Sequence, residues 1–373
     1  MPGTGKTSTM VHAVKALLMR GASILLTSYT NSAVDNLLIK LKSQGIDFVR
    51  IGRHESVHEE IKGHCFAGMN INSVEEIKLK FDQVKVVAVT CLGITSPLLS
   101  GKKFDVCIID EAGQTTLPST EAREKGMGIS LFCRLSEAHS HAIAPLQSQY
   151  RMCQSIMELS NALIYGDRLH CGSPEIANAK LKFTKPIACS SWLKIVLNPS
   201  KPVIFVNTDM LPALEARDQK TVNNPMEAYI IAEITDGLVN NGIEGKDIGI
   251  ITPYNSQASF IRHACKASVE THTIDRYQGR DKDCILVSFV RSNENPRSCS
   301  ASLLADWHRI NVALTRPKKK LIMVGSWGTL SKVPMLKLLI DKIDEQSGIL
   351  SLSNDDFNHQ TWALQRCSWS QIR

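Results

Sequence analysis

The residues of this chain that could do chemistry start in the stretch "MPGTGKTSTM". A loop that binds phosphate through its backbone amides follows the pattern G-x-x-x-x-G-K-[ST], and Gly5, Lys6 and Thr7 match its last three positions. In such a loop the lysine contacts the β and γ phosphates, and the threonine hydroxyl binds Mg²⁺. The first glycine of the pattern would precede Met1, so we expect the loop and the strand that leads into it to be incomplete.

A helix and then a strand follow this loop, as a phosphate-binding loop requires. Four apolar residues recur at helical spacing after it: Val11, Val14, Leu17 and Leu18. Gly21 marks the end of that helix. The amides of Gly3, Thr4 and Gly5 would then meet an anion at the helix start, where the helix dipole favours negative charge. The alternative interpretation is a glycine turn with a chance lysine.

A second candidate lies in "VCIIDEAGQ", where two acids end an apolar run. In this arrangement Asp110 holds Mg²⁺ through water, Glu111 polarises the attacking water, and Gln114 lies near the γ phosphate. Adjacent acids at a strand end are also common in surface turns. Their position downstream of Lys6 and Thr7, in the order the motif requires, favours the nucleotide interpretation.

Apolar runs alternate with helical patterns along the chain, which predicts parallel sheets with crossover helices and hence an α/β fold. The predicted strands of a first lobe are Ser23–Thr27, Val84–Thr90 and Phe104–Asp110. Those of a second lobe are Val203–Asn207, Ile248–Ile251, Cys284–Val290 and Leu321–Gly325. A helix is predicted over Pro225–Val239, and the weakly patterned residues 171–202 are expected to form an irregular insertion.

The composition narrows the class of protein only a little. With 373 residues the chain can bury two cores, and its formal net charge of +7 suits a polyanionic partner without requiring one. The 11 cysteines are scattered singly without a C-x-x-C pair, which predicts reduced thiols in the cytosol or nucleus. The sequence has neither an apolar run of bilayer length nor a signal segment, so neither membrane insertion nor secretion is predicted.

Eight sequence blocks in a fixed order resemble those of a known family. They are "PGTGKT", "TSYTNSAVDNLL", "VTCLGITSPLL", "DEAGQ", "QYRM", "TPYNSQ", "TIDRYQGRDKD" and "RINVALTRPKKKLIMVG". Together they extend over nearly the whole chain. In this ordered series the chain resembles the superfamily-one helicases of subclass B and, within them, the eukaryotic DNA replication helicase/nucleases.

The resemblance implies two RecA-like P-loop lobes, the first of them incomplete, at residues 1–143 and 144–348, with a C-terminal tail at 349–373. It also implies an ATP-dependent 5′-to-3′ DNA helicase of replication and repair, which uses ATP and Mg²⁺ and binds single-stranded DNA. Single-strand-binding protein and other replication or repair proteins are the further partners expected, with no membrane partner. The expected compartment is the nucleus, with the mitochondrion as a second one.

The resemblance also assigns roles in nucleotide binding and hydrolysis. Arg151 and Arg316, from the second lobe, would reach the γ phosphate, and an arginine of this kind is worth about 10³–10⁵ in rate. Tyr254 would stack on the adenine. Three further residues would contact the nucleotide: Glu227, Gly279 and Asp281. The plainer alternatives are surface ion pairs for the arginines, a core position for the tyrosine and solvated positions for the acids.

Four residues match positions that the family uses on the nucleic-acid backbone: Thr30, Asn31, Thr90 and Thr273. Thr30, Asn31 and Thr90 follow or end predicted strands, and Thr273 lies in "THTID"; small hydroxyl and amide groups of this kind could contact phosphates without reading bases. Each of them could also be an ordinary loop cap. The inference therefore depends on their collective placement.

Two departures from the family pattern predict impaired activity. The first is the incomplete loop, which removes its strand and the upstream modules, so that an iron–sulfur cluster is expected only in the absent nuclease module. The second follows "DEAGQTTLPST", where the family has a helix, a buried strand and a Gly-Asp-x-x-Gln-Leu-Pro block. Because loss of interior strands leaves backbone groups unsatisfied, at about 1–3 kcal/mol each, the first lobe is expected to be marginally stable.

Other classes of function stay open at this stage. A related RNA helicase would share all the nucleotide motifs, and a non-catalytic fragment could bind nucleic acid or a protein partner through the second lobe. The stretch "HESVH" also fits the H-E-x-x-H pattern, in which His54 and His58 would bind zinc and Glu55 would act as base. It lacks an obvious third ligand, and a solvated helix start is the preferred interpretation.

Overall fold

The computed structural model describes residues 1–65, 68, 73–114, 129–187, 189–218, 221–277, 280–292, 304 and 306–357. The chain divides into two compact units. The first unit is Gly5–Leu146, and the second unit is Met1–Thr4 together with Gln147–Arg373. Each unit contains a parallel β-sheet and helices, which confirms the predicted α/β fold. Residues 115–128, where the sequence departs from the family pattern, and the tail from 358 lie outside the described residues.

The first unit is built on short, apolar strands joined by helices. Its main elements in chain order are α1 Lys6–Met19, β1 Ile24–Ser28, α2 Asn31–Ser43, β2 Val49–Ile51, α3 Val74–Gln83, β3 Val86–Thr90, β4 Val106–Asp110 and α4 Leu131–Ala138. The strand order is β2-β3-β1-β4. Every pairing between these strands is parallel, as expected for strands connected through helices.

Both faces of the first sheet are covered, which explains why its strands are continuous apolar runs. Along β3, Val86 and Ala88 join the apolar cluster that contains the α1 and α2 side chains, whereas Val87 and Val89 join a cluster with Phe81 of α3. Side chains alternate between the faces of a strand, so a strand covered on both sides needs apolar residues at every position.

One of the two edges of the first sheet is formed by β4, and the other by β2. β1 pairs with β3 on one side and with β4 on the other, so the described strands form a continuous sheet. β3 is almost entirely buried, whereas β4 is only partly buried and its Cys107 is exposed. The described sheet therefore has no gap between its strands, and Asp110 lies on one of its two edge strands.

The second unit is larger and has a six-stranded parallel sheet. Its main elements are β5 Ser148–Gln149, α5 Gln154–Ser160, β6 His170–Cys171, α6 Pro174–Ala177, α7 Ser191–Leu197, β7 Val203–Asn207, β8 Ala216–Asp218, β9 Thr221–Asn223, α8 Pro225–Asn240, β10 Ile248–Thr252, α9 Asn255–Ala264, β11 Glu270–Thr273, β12 Lys282–Ser288, α10 Trp307–Leu314, β13 Pro317–Gly325, α11 Trp327–Leu330, α12 Pro334–Glu345 and β14 Ile349–Ser351.

The order of the large sheet is β11-β10-β12-β13-β7-β14, and every pairing in it is parallel. Its two faces carry separate apolar clusters, with Val203 and Phe205 of β7 on one side and Ile204 and Val206 on the other. Two short pairs, β5 with β6 and β8 with β9, lie outside this sheet. This unit therefore has a complete three-layer arrangement.

The strands predicted from apolar runs are all observed, and the predicted helix over Pro225–Val239 is observed as α8. Three strands of the two main sheets were not predicted: β2, β11 and β14. They are short, and β11 has the polar sequence "ETHT", so neither length nor periodicity distinguishes them from loops. β14 lies beyond residue 348, where the second lobe was expected to end, and α6 and α7 lie inside the expected irregular insertion.

Two findings bear on the expected class of protein. The nine cysteines in the described ranges are all free thiols. No helix in the described part of the chain combines the length and apolar character that a membrane crossing requires.

We predict that Gly249→Ala destabilises the second unit by about 1–3 kcal/mol, the usual range for overpacking a tight core. Gly249 lies in β10 between two neighbouring strands, and an added Cβ would overlap the hydroxyl of the buried Tyr277. Urea denaturation followed by tryptophan fluorescence measures the change in the free energy of unfolding.

Tyr277→Phe is the matched control. Its hydroxyl is buried without a hydrogen-bond partner among the described residues, so removing it should be neutral or stabilising. Combined with Gly249→Ala it should recover part of the loss. Additive effects of the two changes would contradict the predicted overlap.

Candidate nucleotide site and nucleic-acid interface

The start of α1 has the geometry of an anion-binding helix end. Gly5 precedes the helix at φ 76° and ψ 24°, a left-handed conformation that favours glycine. A Cβ on Gly5 would meet nothing within 4 Å, so the space above the loop is open. In the described first turn, no side chain caps the helix. The amides at this end can therefore face a phosphate.

Asp110 and Lys6 are close enough to interact electrostatically. Asp110 ends β4, and burial raises the pKa of its carboxyl, while the Glu111 amide and the Lys6 ammonium act in the opposite direction. The Glu111 amide donates to Asp110 Oδ1 at 2.9 Å. Glu111 itself has φ 53°, which costs a non-glycine residue about 1–3 kcal/mol and is found most often at functional sites.

The residues present fit a magnesium ion. Thr7 is half-buried in the first turn of α1 and supplies a hydroxyl, and Asp110 supplies a carboxylate, the hard oxygen ligands that Mg²⁺ prefers. Gln114 ends the short 3₁₀ helix Ala112–Gln114, and its side chain lies outside the described structure.

The two predicted arginines converge on one threonine in the second unit. Arg151 Nη1 donates to the carbonyl oxygen of Thr315 at 3.0 Å, and Arg316 Nη2 donates to the Thr315 hydroxyl at 2.9 Å. Asp281 pairs with Lys318 at 3.1 Å and with Arg151 at 3.8 Å. Residues separated by more than 160 positions thus form one basic cluster. Thr315 directly precedes Arg316, so the contact that was not predicted is the one from Arg151.

Gly3 lies against this cluster within the second unit. Its carbonyl accepts a hydrogen bond from the Tyr150 amide at 2.9 Å. An added Cβ would lie only 2.8 Å from Arg151 Cβ, and the φ of Gly3 is 67°. Both the lack of space and the left-handed backbone conformation therefore favour glycine here. Thr4 is buried, and its hydroxyl donates to the Met1 carbonyl at 2.9 Å, so this hydroxyl is already used within the loop.

Tyr254 does not lie with the arginine cluster. It follows the carboxyl end of β10, whereas Asp281 and Arg316 precede the amino ends of β12 and β13. All strands of this sheet are parallel, so these ends lie on opposite edges, and the seven residues of β12 alone span about 23 Å. Tyr254 instead contacts Arg291, whose Nη1 lies 3.4 Å from the tyrosine hydroxyl. The structure does not support one nucleotide site that contains both groups.

Glu227 is a buried structural residue, which corrects its assignment as a nucleotide contact. It is 0% exposed. Its carboxyl group accepts, through Oε2, from the Ser288 hydroxyl at 2.7 Å and from the Val290 amide at 2.8 Å. Asn224 Nδ2 donates to the Val290 carbonyl at 3.2 Å. These bonds hold Val290 at φ 72°, a strained conformation for a β-branched residue. Gly279 lies outside the described residues.

The predicted nucleic-acid contacts lie at the carboxyl edges of the two sheets. In the first sheet Ser28 is level with Thr90 and Asp110, and Thr30 and Asn31 follow directly at the start of α2. In the second sheet Thr273 ends β11 and is paired in register with Thr252 of β10. The structure thus groups Thr30, Asn31 and Thr90 within one unit and places Thr273 in the other.

The "HESVH" stretch does not form the helix that a zinc motif needs. His54–Ser56 is a short 3₁₀ helix, and His58 caps the next one by accepting a bond from the Glu60 amide. The histidines are therefore not one turn apart on an α-helix, and the described residues contain no cluster of three or more metal-binding side chains.

Two charged residues that the sequence analysis did not single out are buried beside Asn31. Arg50 is 1% exposed and Asp35 is 4% exposed, and Arg50 Nε lies 3.0 Å from Asp35 Oδ1. Arg50 could not be recognised from the sequence, because the three-residue strand β2 that contains it was not itself predicted. Charged residues are almost never buried unless they are paired.

We predict that Glu227→Gln flattens the pH dependence of stability between about pH 5 and 8. Burial raises the pKa of Glu227 to about 8, although Ser288 and the Val290 amide lower it. The folded state therefore keeps a proton that the unfolded chain releases above its ordinary pKa of about 4.5, so stability falls as the pH rises, by up to about 1.4 kcal/mol per pH unit.

Urea denaturation of the wild type and of Glu227→Gln at several pH values measures this slope. Glu233→Gln is a control on the same helix, since the pKa of Glu233 is also raised by burial but that carboxyl is only half-buried. Identical slopes for the wild type and Glu227→Gln would contradict the prediction.

Comparison with known proteins agrees with the sequence motifs. Two family models, both described as an AAA domain, match residues 127–327 and 1–80. The DNA replication ATP-dependent helicase/nuclease JHS1 of Arabidopsis thaliana is 68% identical over 95% of this chain and 29% of its own length. The DNA replication ATP-dependent helicase/nuclease DNA2 of Xenopus laevis is 39% identical over 96% of this chain and 38% of its own length. The chain thus spans well under half the length of these relatives.

A solved complex of arterivirus nonstructural protein 10 (helicase) with DNA covers 90% of this chain and 61% of its own, with 16% identity and a TM-score of 0.45. That likeness is too distant to add to the sequence comparisons. The curated relatives confirm the resemblance to the DNA replication helicase/nucleases that the ordered motifs predicted. One AAA-domain match alone covers more than half of the 373 residues, and the chain therefore belongs to the AAA-domain family.

Proposed function

We propose that this chain is the ATP-driven motor part of a DNA replication and repair helicase, which hydrolyses ATP and moves 5′-to-3′ along single-stranded DNA. The observation that carries the proposal is the convergence of Arg151 and Arg316 on Thr315. Isolated surface ion pairs, the plainer alternative, would not bring these two motif arginines onto one residue. The names of the Arabidopsis and Xenopus relatives support the same activity.

Each residue of the proposed nucleotide site has a distinct task. Lys6 and the α1 amides bind the phosphates, and Glu111 orients and polarises the attacking water. Arg151 and Arg316 stabilise the negative charge that develops on the γ phosphate. Mg²⁺, held by Thr7 and Asp110, would neutralise phosphate charge. Burial raises the pKa of Asp110, but the charge of Lys6 lowers it and so favours the ionised carboxylate that metal binding needs.

The proposed partner is single-stranded DNA, bound through Thr30, Asn31, Thr90 and Thr273. These residues lie at strand ends and carry short polar groups that suit backbone contacts. Tyr254 lies on the same sheet edge as Thr273, so an aromatic contact with a base is a better role for it than adenine stacking. Replication and repair proteins are the proposed further partners, and the nucleus is the proposed compartment.

We further propose that the 373-residue chain turns over ATP slowly. Asp110 lies on β4, the partly exposed edge strand of the described first sheet, so neighbouring strands hold its backbone on one side only. A metal-binding carboxylate needs firm positioning, because misplacement of about 1 Å can cost about 10²-fold in rate.

The test is steady-state ATP hydrolysis by purified protein, with and without single-stranded DNA. We expect weak, DNA-stimulated turnover, and Lys6→Ala should abolish it because the phosphate contact is lost. The corresponding region of the Arabidopsis thaliana relative should be much faster. Lys15→Ala, an exposed position on the same helix, is the matched control and should retain wild-type turnover.

Two outcomes would contradict parts of this proposal. Turnover that survives Lys6→Ala would exclude the proposed nucleotide site. Turnover as fast as that of the Arabidopsis thaliana region, and lost in Lys6→Ala, would leave the site intact but contradict the effect attributed to the edge strand.

The direction of movement is read by displacement of streptavidin from biotinylated single strands. A 5′-to-3′ motor should displace streptavidin from the 3′ end faster than from the 5′ end, and only in the presence of ATP. The reverse preference would contradict the proposed direction. The same assay with RNA strands tests the alternative that the substrate is RNA, which contacts to the backbone alone do not exclude.

A further inference from the structure

A buried arginine is hydrogen-bonded to the side chain of Asn31. Arg50 lies in β2 and is almost completely buried. Its Nη2 donates to Asn31 Oδ1 at 2.7 Å, and its Nε donates to Asp35 Oδ1 at 3.0 Å. Asp35 Oδ2 accepts from the His58 amide at 3.0 Å. Arg50 therefore links β2 to both the first and second turns of α2.

This network fixes the direction in which Asn31 faces. A guanidinium carries only donors, so the atom of Asn31 that meets it must be the amide oxygen and not the nitrogen. The Nδ2 group, with its two donor hydrogens, is then on the opposite side of the amide. Since Asn31 is exposed, that side can meet solvent or a ligand. An unrestrained asparagine could present either its oxygen or its nitrogen.

Thr30 is restricted in a similar way. Its hydroxyl oxygen accepts from the Ala33 amide and from the Ser32 hydroxyl, both at 3.3 Å. With these two donors on its oxygen, the hydroxyl proton is available to donate. Thr30 and Asn31 thus both present donors at the positive end of the α2 dipole, as a phosphate oxygen requires.

We propose that Arg50 is a positioning residue for single-stranded nucleic acid: it acts through Asn31, holding the amide so that Nδ2 donates to a backbone phosphate. The inference rests on the proposed function, since Asn31 is taken there as a backbone contact. Asp35 completes the arrangement by neutralising Arg50, so that a buried guanidinium can be retained.

The test measures binding of a fluorescein-labelled oligothymidylate by anisotropy over a range of salt concentrations. Four proteins are compared: the wild type, Arg50→Lys, Asn31→Ala and the double variant. Lysine keeps the charge opposite Asp35 but lacks the forked donors that reach both Asp35 and Asn31. Thermal unfolding of each variant is recorded in the same buffers.

We expect each single change to weaken binding by about tenfold, the usual worth of one hydrogen bond to a charged group. The double variant should bind no more weakly than Asn31→Ala, because Arg50 acts only through Asn31. Both changes should leave the slope of log K against log salt nearly unchanged, since the neutral Asn31 amide neutralises no phosphate charge.

If Arg50→Lys does not fold, Asn31→Asp decides the question. An aspartate can keep the bond to Arg50 but presents an acceptor where Nδ2 was, so the fold should survive and binding should fall. Asn36→Asp makes the same exchange at another exposed position of α2. Asn31→Asp should weaken binding clearly more than Asn36→Asp.

The possible failures are distinguishable. A folded wild type that does not bind the oligonucleotide even at low salt would contradict the proposed function, and the inference with it. Wild-type binding with the expected salt dependence, but with Arg50→Lys unchanged or with effects that multiply in the double variant, would contradict the role of Arg50 alone. Equal losses in Asn31→Asp and Asn36→Asp would also contradict it.

Discussion

The parallel alignment of strands is the constraint on which the rest of this structure depends. In a parallel sheet all carboxyl ends lie on one edge and all amino ends on the other, and each edge is reached by different loops. In the first sheet this alignment sets Asp110, Ser28 and Thr90 level with one another, and Thr30 and Asn31 follow immediately. Groups proposed to contact metal and nucleic acid therefore share one edge, although they come from separate parts of the sequence.

The same constraint explains which site residues the sequence could group and which it could not. Lys6 and Asp110 were predicted to share a site because a helix start and a strand end have fixed positions in an α/β unit, and the charge of Lys6 does act on Asp110. Tyr254 and Arg316 were assigned to one nucleotide although they lie at opposite edges of the second sheet. The order of the motifs along the chain does not indicate at which edge of the sheet a residue lies. The position of a residue before or after a strand does indicate it.

The burial of individual residues is a second property that the sequence predicted only in part. Glu227 follows Asn224 and Pro225 at the start of α8, a position typical of an exposed acid near a helix N-terminus, yet it is fully buried and holds the strained Val290. The burial of Arg50 was not predicted either, because a charged residue inside the three-residue strand β2 resembles a loop residue. The apolar runs predicted the cores well, since hydrophobic burial is additive and non-directional. Buried polar residues depend on specific partners, which no single stretch of sequence contains.

The buried pair of Arg50 and Asp35 in the first unit orients the Asn31 amide, and it is not expected to add net stability. A buried ion pair contributes little to folding compared with an apolar replacement, because the cost of removing two charges from water offsets their attraction. The Arg50–Asp35 pair nevertheless determines which end of the Asn31 amide faces outward. An amide that binds phosphates and not bases must keep its donor toward the phosphate and its acceptor toward the protein, since an exposed acceptor would repel the anion. The energetic cost of burying Arg50 is therefore consistent with a role in which direction matters more than affinity for Asp35.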